Sequence, residues 1–220
     1  MKAFRSFQID PEKCHQELDD FAKLLCKQEL EERKHILPFF EKHEHLAALI
    51  GSFNTLNSRY DKLAHELTLA GDFMCDLVTG DSQSCAYCFV EFEDATKNSI
   101  FIKTNRARSV WSSRLEKGFG QLLDWIWKVD EQRAAITFRH LFGSENPNCV
   151  NLLVIGRSCY LDNKNDWHRF YWRRDNVSVD NKPIICMTYD DLFDALKGKL
   201  SLTRAVFAKT TALQEVKYGG

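Results

Sequence analysis

Three carboxylates in this sequence occupy positions that core packing does not explain. Asp76 stands among Phe73, Met74, Leu77 and Val78, while Glu91 and Glu93 interrupt the apolar run that begins at Cys88. A strand alternates its faces residue by residue, so Glu91 and Glu93 share one face and Val90 and Phe92 the other. Between the two runs, Gly80-Asp81-Ser82-Gln83-Ser84 has the composition of a hairpin loop. Folding about residues 81–83 returns the Asp76 region to the side of the Glu91 region. Carboxylates so close repel one another, and partial burial raises the cost unless a cation neutralises them. Oxygen-only ligands select a hard ion, Mg2+ or Mn2+. Glu66, ahead of Asp76, is within reach of the same cluster as a further metal ligand. Two cations held this way activate a water and stabilise the leaving oxygen of a phosphodiester, so the chemistry expected is nucleic-acid cleavage. The competing reading makes the acids solvent-facing positions of an exposed hairpin. It must also account for Glu66 and Asp72 around the same element.

The elements that position these residues follow from periodicity. Asp10-Pro11 opens an amphipathic helix over residues 11–35, with Leu18, Phe21, Leu24, Leu25 and Leu30 on its apolar side. A second helical run carries Ile36 to Ile50 and stops at Gly51. A short helix is expected over residues 60–66, then three consecutive strands ending in Asn98 to Lys103. Residues 109–129 return to helical spacing, with Trp111, Leu115, Phe119, Leu122 and Ile126 as one stripe. Val150 to Leu161 reads as a buried strand, residues 166–176 as a helix, and residues 182–200 as a strand and then a helix. Strand–helix alternation predicts an α/β fold, a sheet sandwiched by helices. The organisation expected is an N-terminal helical segment (1–55), a core (56–200) and a C-terminal tail (201–220).

Composition narrows the classes. The chain of 220 residues is 44% hydrophobic and 28% charged, a globular rather than a disordered profile. No stretch approaches the roughly 20 apolar residues of a membrane-spanning helix. The N-terminus carries no apolar signal core, so no membrane partner is expected and the expected location is the cytoplasm. A formal net charge of −1 argues against coating nucleic acid by bulk electrostatics. Cys85 and Cys88 form a lone CxxC without a second ligand pair, and Cys14, Cys26, Cys75, Cys149, Cys159 and Cys186 read as small buried hydrophobes.

The string from Glu66 through GDFMCDLVTGD to FVEFE resembles the core of the PD-(D/E)xK nuclease superfamily. That core has a helix glutamate, a strand aspartate, then E-x-K on the next strand. More narrowly, the order of segments resembles the Shedu family of antiphage defence proteins. The resemblance rests on KHILPFFEKHEHLAALIG, GDFMCDLV with VEFEDA, GFGQLLDW, VNLLVIGR and ICMTYDDLFDAL, across residues 28–198. It implies a restriction-endonuclease-like mixed sheet flanked by helices and a metal-dependent DNA endonuclease serving defence. Asp76 and Glu91 would then bind the metal, Glu66 would complete or orient the shell, and Gln121 would sit beside the site on the following helix. Glu93 stands where that pattern has lysine. A glutamate there can act as an extra ligand or a general base. Lys103, on the next strand, is the candidate replacement for the lysine. The alternative is a module of the same fold that binds nucleic acid or a partner protein without cutting.

Two basic stretches are candidate DNA-binding surfaces. The first is Arg106, Arg108, Arg114 and Lys117; the second is Arg157 with His168, Arg169, Arg173 and Arg174 among aromatic residues. Trp111, Trp125 and Trp127 read as core. The charged N-terminal helix offers a surface for pairing between subunits.

Overall fold

The expected hairpin forms, and a mixed sheet is built outward from it. In this computed structural model, which describes residues 3–105, 108–161, 163–180 and 182–201, β1 (Arg5–Ser6), β2 (Lys62–Leu69), β3 (Phe73–Asp81) and β4 (Ala86–Phe92) pair antiparallel in succession. β5 (Phe101–Ile102) and β6 (Val110–Trp111) form a separate two-stranded ladder. β7 (Asn148–Val154) lies parallel to β4. β8 (Ser178–Val179) pairs antiparallel with β9 (Lys182–Met187), which lies parallel to β7. The main sheet among the described residues therefore runs β1-β2-β3-β4-β7-β9-β8. Its parallel neighbours are joined by helical crossovers, as parallel pairing requires.

Helices cover both faces. α1 (Pro11–Leu25), α2 (Leu37–Lys42) and α3 (Glu44–Leu49) pack with the helix at 189–201 over one face, against Leu63, Leu77, Cys88, Val90, Phe92, Leu152 and Val154. α4 (Ser113–Gln132), α5 (Ile136–Phe142) and α6 (Lys164–Asn176) cover the other, against Val78, Tyr87, Phe89, Leu153, Ile184 and Cys186. The fold is the α/β arrangement expected, a mixed sheet between helical layers. No helix among the described residues is long and apolar enough to cross a membrane.

Several local expectations are corrected. Residues 60–66 are not a helix. Lys62–Leu69 is strand β2, paired with β3 from Lys62↔Gly80 to Leu69↔Phe73. Seven residues are too few to separate the two periodicities, and the ladder to β3 decides the outcome. The first helix stops at Leu25, and Leu30 instead forms a bridge to Ala95. Glu32–Ile36 then winds as a π-helix that ends before Pro38, which has no N–H for an α-type bond. The second helical run breaks at His43, whose ring bonds back to the Phe39 carbonyl. β5 pairs with β6 and not with β4, so Lys103 does not follow a strand of the main sheet. Trp125 is core, but Trp127 is 56% exposed, and Cys26 and Cys159 are exposed rather than buried. Arg106 and the tail from 202 onward lie outside the described residues.

Candidate functional site

The acids converge on the sheet face that α4 covers. β3 and β4 pair as Leu77↔Val90 and Val78↔Phe89, which sets Asp76 level with Glu91. Asp76 accepts a hydrogen bond from the Phe92 backbone N–H at 2.8 Å, and its carboxyl is hydrogen-bonded to that of Glu91. Burial is the largest influence on both, and the neighbouring charges of Glu32 and Glu93 add to it, so both pKa values are raised far above the carboxylate range. At Asp76 the Phe92 N–H opposes this. The pair therefore holds a proton near neutrality.

Glu93 is fixed from three directions. Its backbone N–H donates to Val154 on β7, and its carbonyl accepts from the buried Tyr189 hydroxyl at 2.7 Å. Its side chain, 2% exposed as a residue, meets Arg114 of the first turn of α4 at 2.6 Å. Burial raises the Glu93 carboxyl, and Arg114 pulls it back. α4 approaches this closely because residue 118 is glycine. A Cβ there would lie 2.9 Å from the Leu153 methyl and 3.3 Å from the Glu93 side chain. Gln121, one turn beyond Gly118, buries an amide oxygen without a hydrogen-bond partner, and Glu91 Oε2 is likewise unpartnered.

Arg114 joins two further acids, Glu32 at 3.4 Å and Asp94 at 3.0 Å. Asp94 also accepts the Glu32 backbone N–H at 2.7 Å, which ties the start of the π-helix to the end of β4. Glu32 raises the pKa of Asp76, Glu91 and Glu93 alike, so it belongs to the same electrostatic cluster. Sequence reasoning missed Glu32, Asp94 and the central place of Arg114. The signal available was weak: a helix glutamate ahead of the strand pair, sought at Glu66 instead.

The remaining site residues fall in different places. Glu66 lies between the pairs His65↔Leu77 and Leu67↔Cys75, level with Asp76, and its φ of +51° marks a break in the ladder there. Lys117, exposed and one turn after Arg114, acts on the charges of Glu93 and Glu32. Asp72 sits in the β2–β3 turn, paired with Lys128 at 2.7 Å. Arg169 donates to the Ser109 carbonyl and lies 4.8 Å from the ring centres of both Phe101 and Trp111. Arg173 binds both oxygens of Glu116 and stacks over Phe119. Arg157, with Asp190, clamps the loop after β7 and is not part of a surface patch.

The donor chemistry fits a hard cation within limits. Beside the half-buried Asp76, the buried Glu91 carries an oxygen without a partner, and a buried amide oxygen of Gln121 on α4 also lacks one. No group of three or more His, Cys, Asp or Glu side chains is gathered at metal-holding distance among the described residues. Asp76 and Glu91 are the two carboxylates that could hold such an ion. Magnesium, which binds through one or two carboxylates and retains several waters, suits such a pair.

No curated protein matches the chain. A family profile described as Shedu protein SduA, C-terminal, matches residues 28–193, from just before Glu32 through Asp76, Glu91, Glu93, Arg114 and Gln121 to the last helix. The chain belongs to the Shedu SduA C-terminal family, and with it to antiphage defence.

Proposed function

We propose that the chain is a Mg2+- or Mn2+-dependent endodeoxyribonuclease that hydrolyses phosphodiester bonds of phage or other foreign DNA. The observation that carries this reading is the Asp76–Glu91 pair, a half-buried and a buried carboxyl facing each other on one sheet face, with raised pKa values and an unpartnered oxygen. An isolated fold has no use for such a pair, because burying it costs stability. A cation at Asp76 and Glu91 would supply a water of lowered pKa and a Lewis acid for the scissile phosphate. Glu93 does not take the role of a lysine. It holds Arg114, and the exposed Lys117 beside it is a cation of the cluster open to a phosphate. Glu32 and Gln121 complete the rim, as positioning groups for the pair.

A second reading has its own observation. With Glu93 engaged by Arg114, the family-pattern lysine is missing at its strand position, which favours a module that binds DNA without cutting. Incubating supercoiled plasmid with the purified protein and Mg2+ or Mn2+ separates the two. Nicking or cutting that disappears in Asp76→Asn and in Glu91→Gln, both still folded, supports the nuclease. Equal cutting by both variants refutes the site. DNA retention with no cutting in either metal selects the binding module.

A further inference from the structure

A second surface, lined by a residue just ahead of α4 and by residues of α6, is shaped for a ligand. Trp111, His168, Arg169 and Trp172 line an apolar hollow of about 350 Å³. Through His168 and Arg169 it opens into a polar cleft of about 500 Å³ that also includes Arg108, Ser109, Asn163, Lys164 and Asp166. The walls of the hollow differ in what they already hold. Trp111 stacks on Phe101 and carries Arg169 and Arg173 against its ring. Trp172 is 58% exposed and has no ring or cation stacked on it among the described residues. Its indole face is therefore available to a flat aromatic ligand.

The cleft beside it is cationic where it meets solvent. Arg108, Lys164 and His168 line it, and none of them has an ion pair among the described residues. Its one acid does not oppose an anion. Asp166 is 5% exposed and turned inward, accepting from the Ser109 hydroxyl at 2.9 Å and the Asn163 amide at 2.8 Å. An aromatic-walled hollow joined to a basic cleft matches the two halves of a nucleotide, base and phosphate.

We infer that this hollow and cleft hold one unpaired nucleotide of a DNA strand, its base on Trp172 and its phosphate among Arg108, Lys164 and His168. The inference deepens the nuclease reading and rests on it for the identity of the strand. Trp111 and Arg114 are three residues apart, a span of at most roughly 10 Å. A strand running through the acid cluster therefore reaches the hollow within a few nucleotides. Base stacking needs an exposed base face, which paired DNA does not offer along its length. The surface thus selects unpaired over duplex DNA.

The test uses the full chain without metal and fluorescence anisotropy of a labelled oligothymidine strand of about twelve nucleotides. Trp172→Ala is expected to weaken binding about tenfold, with Lys164→Glu weakening it as well. Trp127→Ala, an exposed tryptophan on α4, should leave it unchanged. Because binding is read without metal, loss of strand binding in Trp172→Ala and loss of cleavage in Asp76→Asn are separate readouts, so a failed nuclease reading and a failed strand site are told apart. Competition with thymidine monophosphate and with a blunt duplex of equal length completes the set. The inference is overturned if Trp172→Ala binds as tightly as wild type, if the duplex competes as well as the strand, or if the mononucleotide alone accounts for binding.

Discussion

Asp76 and Glu91 prefer to be protonated in the folded chain, because burial penalises their charged forms before any neighbouring charge is counted. The folded state therefore binds more protons than the unfolded chain above the ordinary carboxylate range, and stability falls as pH rises through it. The loss should begin near the unfolded carboxylate pKa and continue through about 7, the value to which Asp76 is raised, and beyond it for Glu91. Thermal melts without metal should show Tm falling across this window. In Asp76→Asn the fall should be shallower, each kcal/mol recovered raising Tm by about 2–4 °C. Glu93 makes the opposite kind of prediction. Glu93→Lys supplies the lysine of the E-x-K pattern that the sequence resembles but sets a second cation against Arg114 at a position 2% exposed. It should destabilise the fold by about 3 kcal/mol in denaturant melts and should not increase cleavage. Adding Arg114→Glu should recover part of the loss, and a neutral or stabilising Glu93→Lys would contradict the role given to Arg114. The Asp76–Glu91 juxtaposition was legible in the sequence because both residues sit on one hairpin, whose loop chemistry and alternation are local. Glu32 was not legible. It reaches the cluster through the Leu30–Ala95 bridge and the Asp94 carboxylate, contacts that no local spacing encodes.

Among the elements, the hairpin loop and α4 decide the geometry. Asp81 accepts the backbone N–H groups of Ser58, Arg59, Gln83 and Ser84 together with the Ser58 hydroxyl. Burial alone would raise its pKa, but these donors outweigh it and hold the carboxyl well below its usual range. A depressed pKa stabilises the fold above the unfolded value and loses that contribution as pH falls through acid. Asp81→Ala should cost about 2–3 kcal/mol at neutral pH, from the donors it leaves buried and unpaired, and much less in strong acid; urea melts at the two pH values check this. Gly118→Ala puts a methyl between α4 and the Glu93 side chain. It should cost about 1–3 kcal/mol and lower cleavage by displacing Arg114 and Gln121, whereas Gly120→Ala, with open space at its Cβ, should not. The strands and long helices of this fold were legible from period and turn residues. The misread pieces are β2, taken for a helix at residues 60–66, the break at His43 and the π-turn before Pro38. Their form is set by pairing to β3, by a side-chain-to-backbone bond and by a missing N–H, none of which periodicity reports.

At the scale of the whole molecule, a net charge of −1 hides a division of labour. Acids gather along β3 and β4, and cations without an ion pair among the described residues, Arg108 and Lys164, lie beside α4 and α6. Family membership connects the chain to antiphage defence. Cells expressing the chain within its native defence context should lose protection when Asp76→Asn is introduced, at unchanged protein level, as plaque counts would show. The expectations for cleavage and for protection rest on the Asp76–Glu91 pair being a cation site. Titration of Mg2+ or Mn2+ at about pH 8, followed by thermal shift, tests that most directly, because an ion bound only by the folded state must raise its Tm. A saturable rise in wild type, absent from both Asp76→Asn and Glu91→Gln, is expected if the pair holds the ion. No rise in wild type with either ion, or an equal rise in both variants, would contradict it.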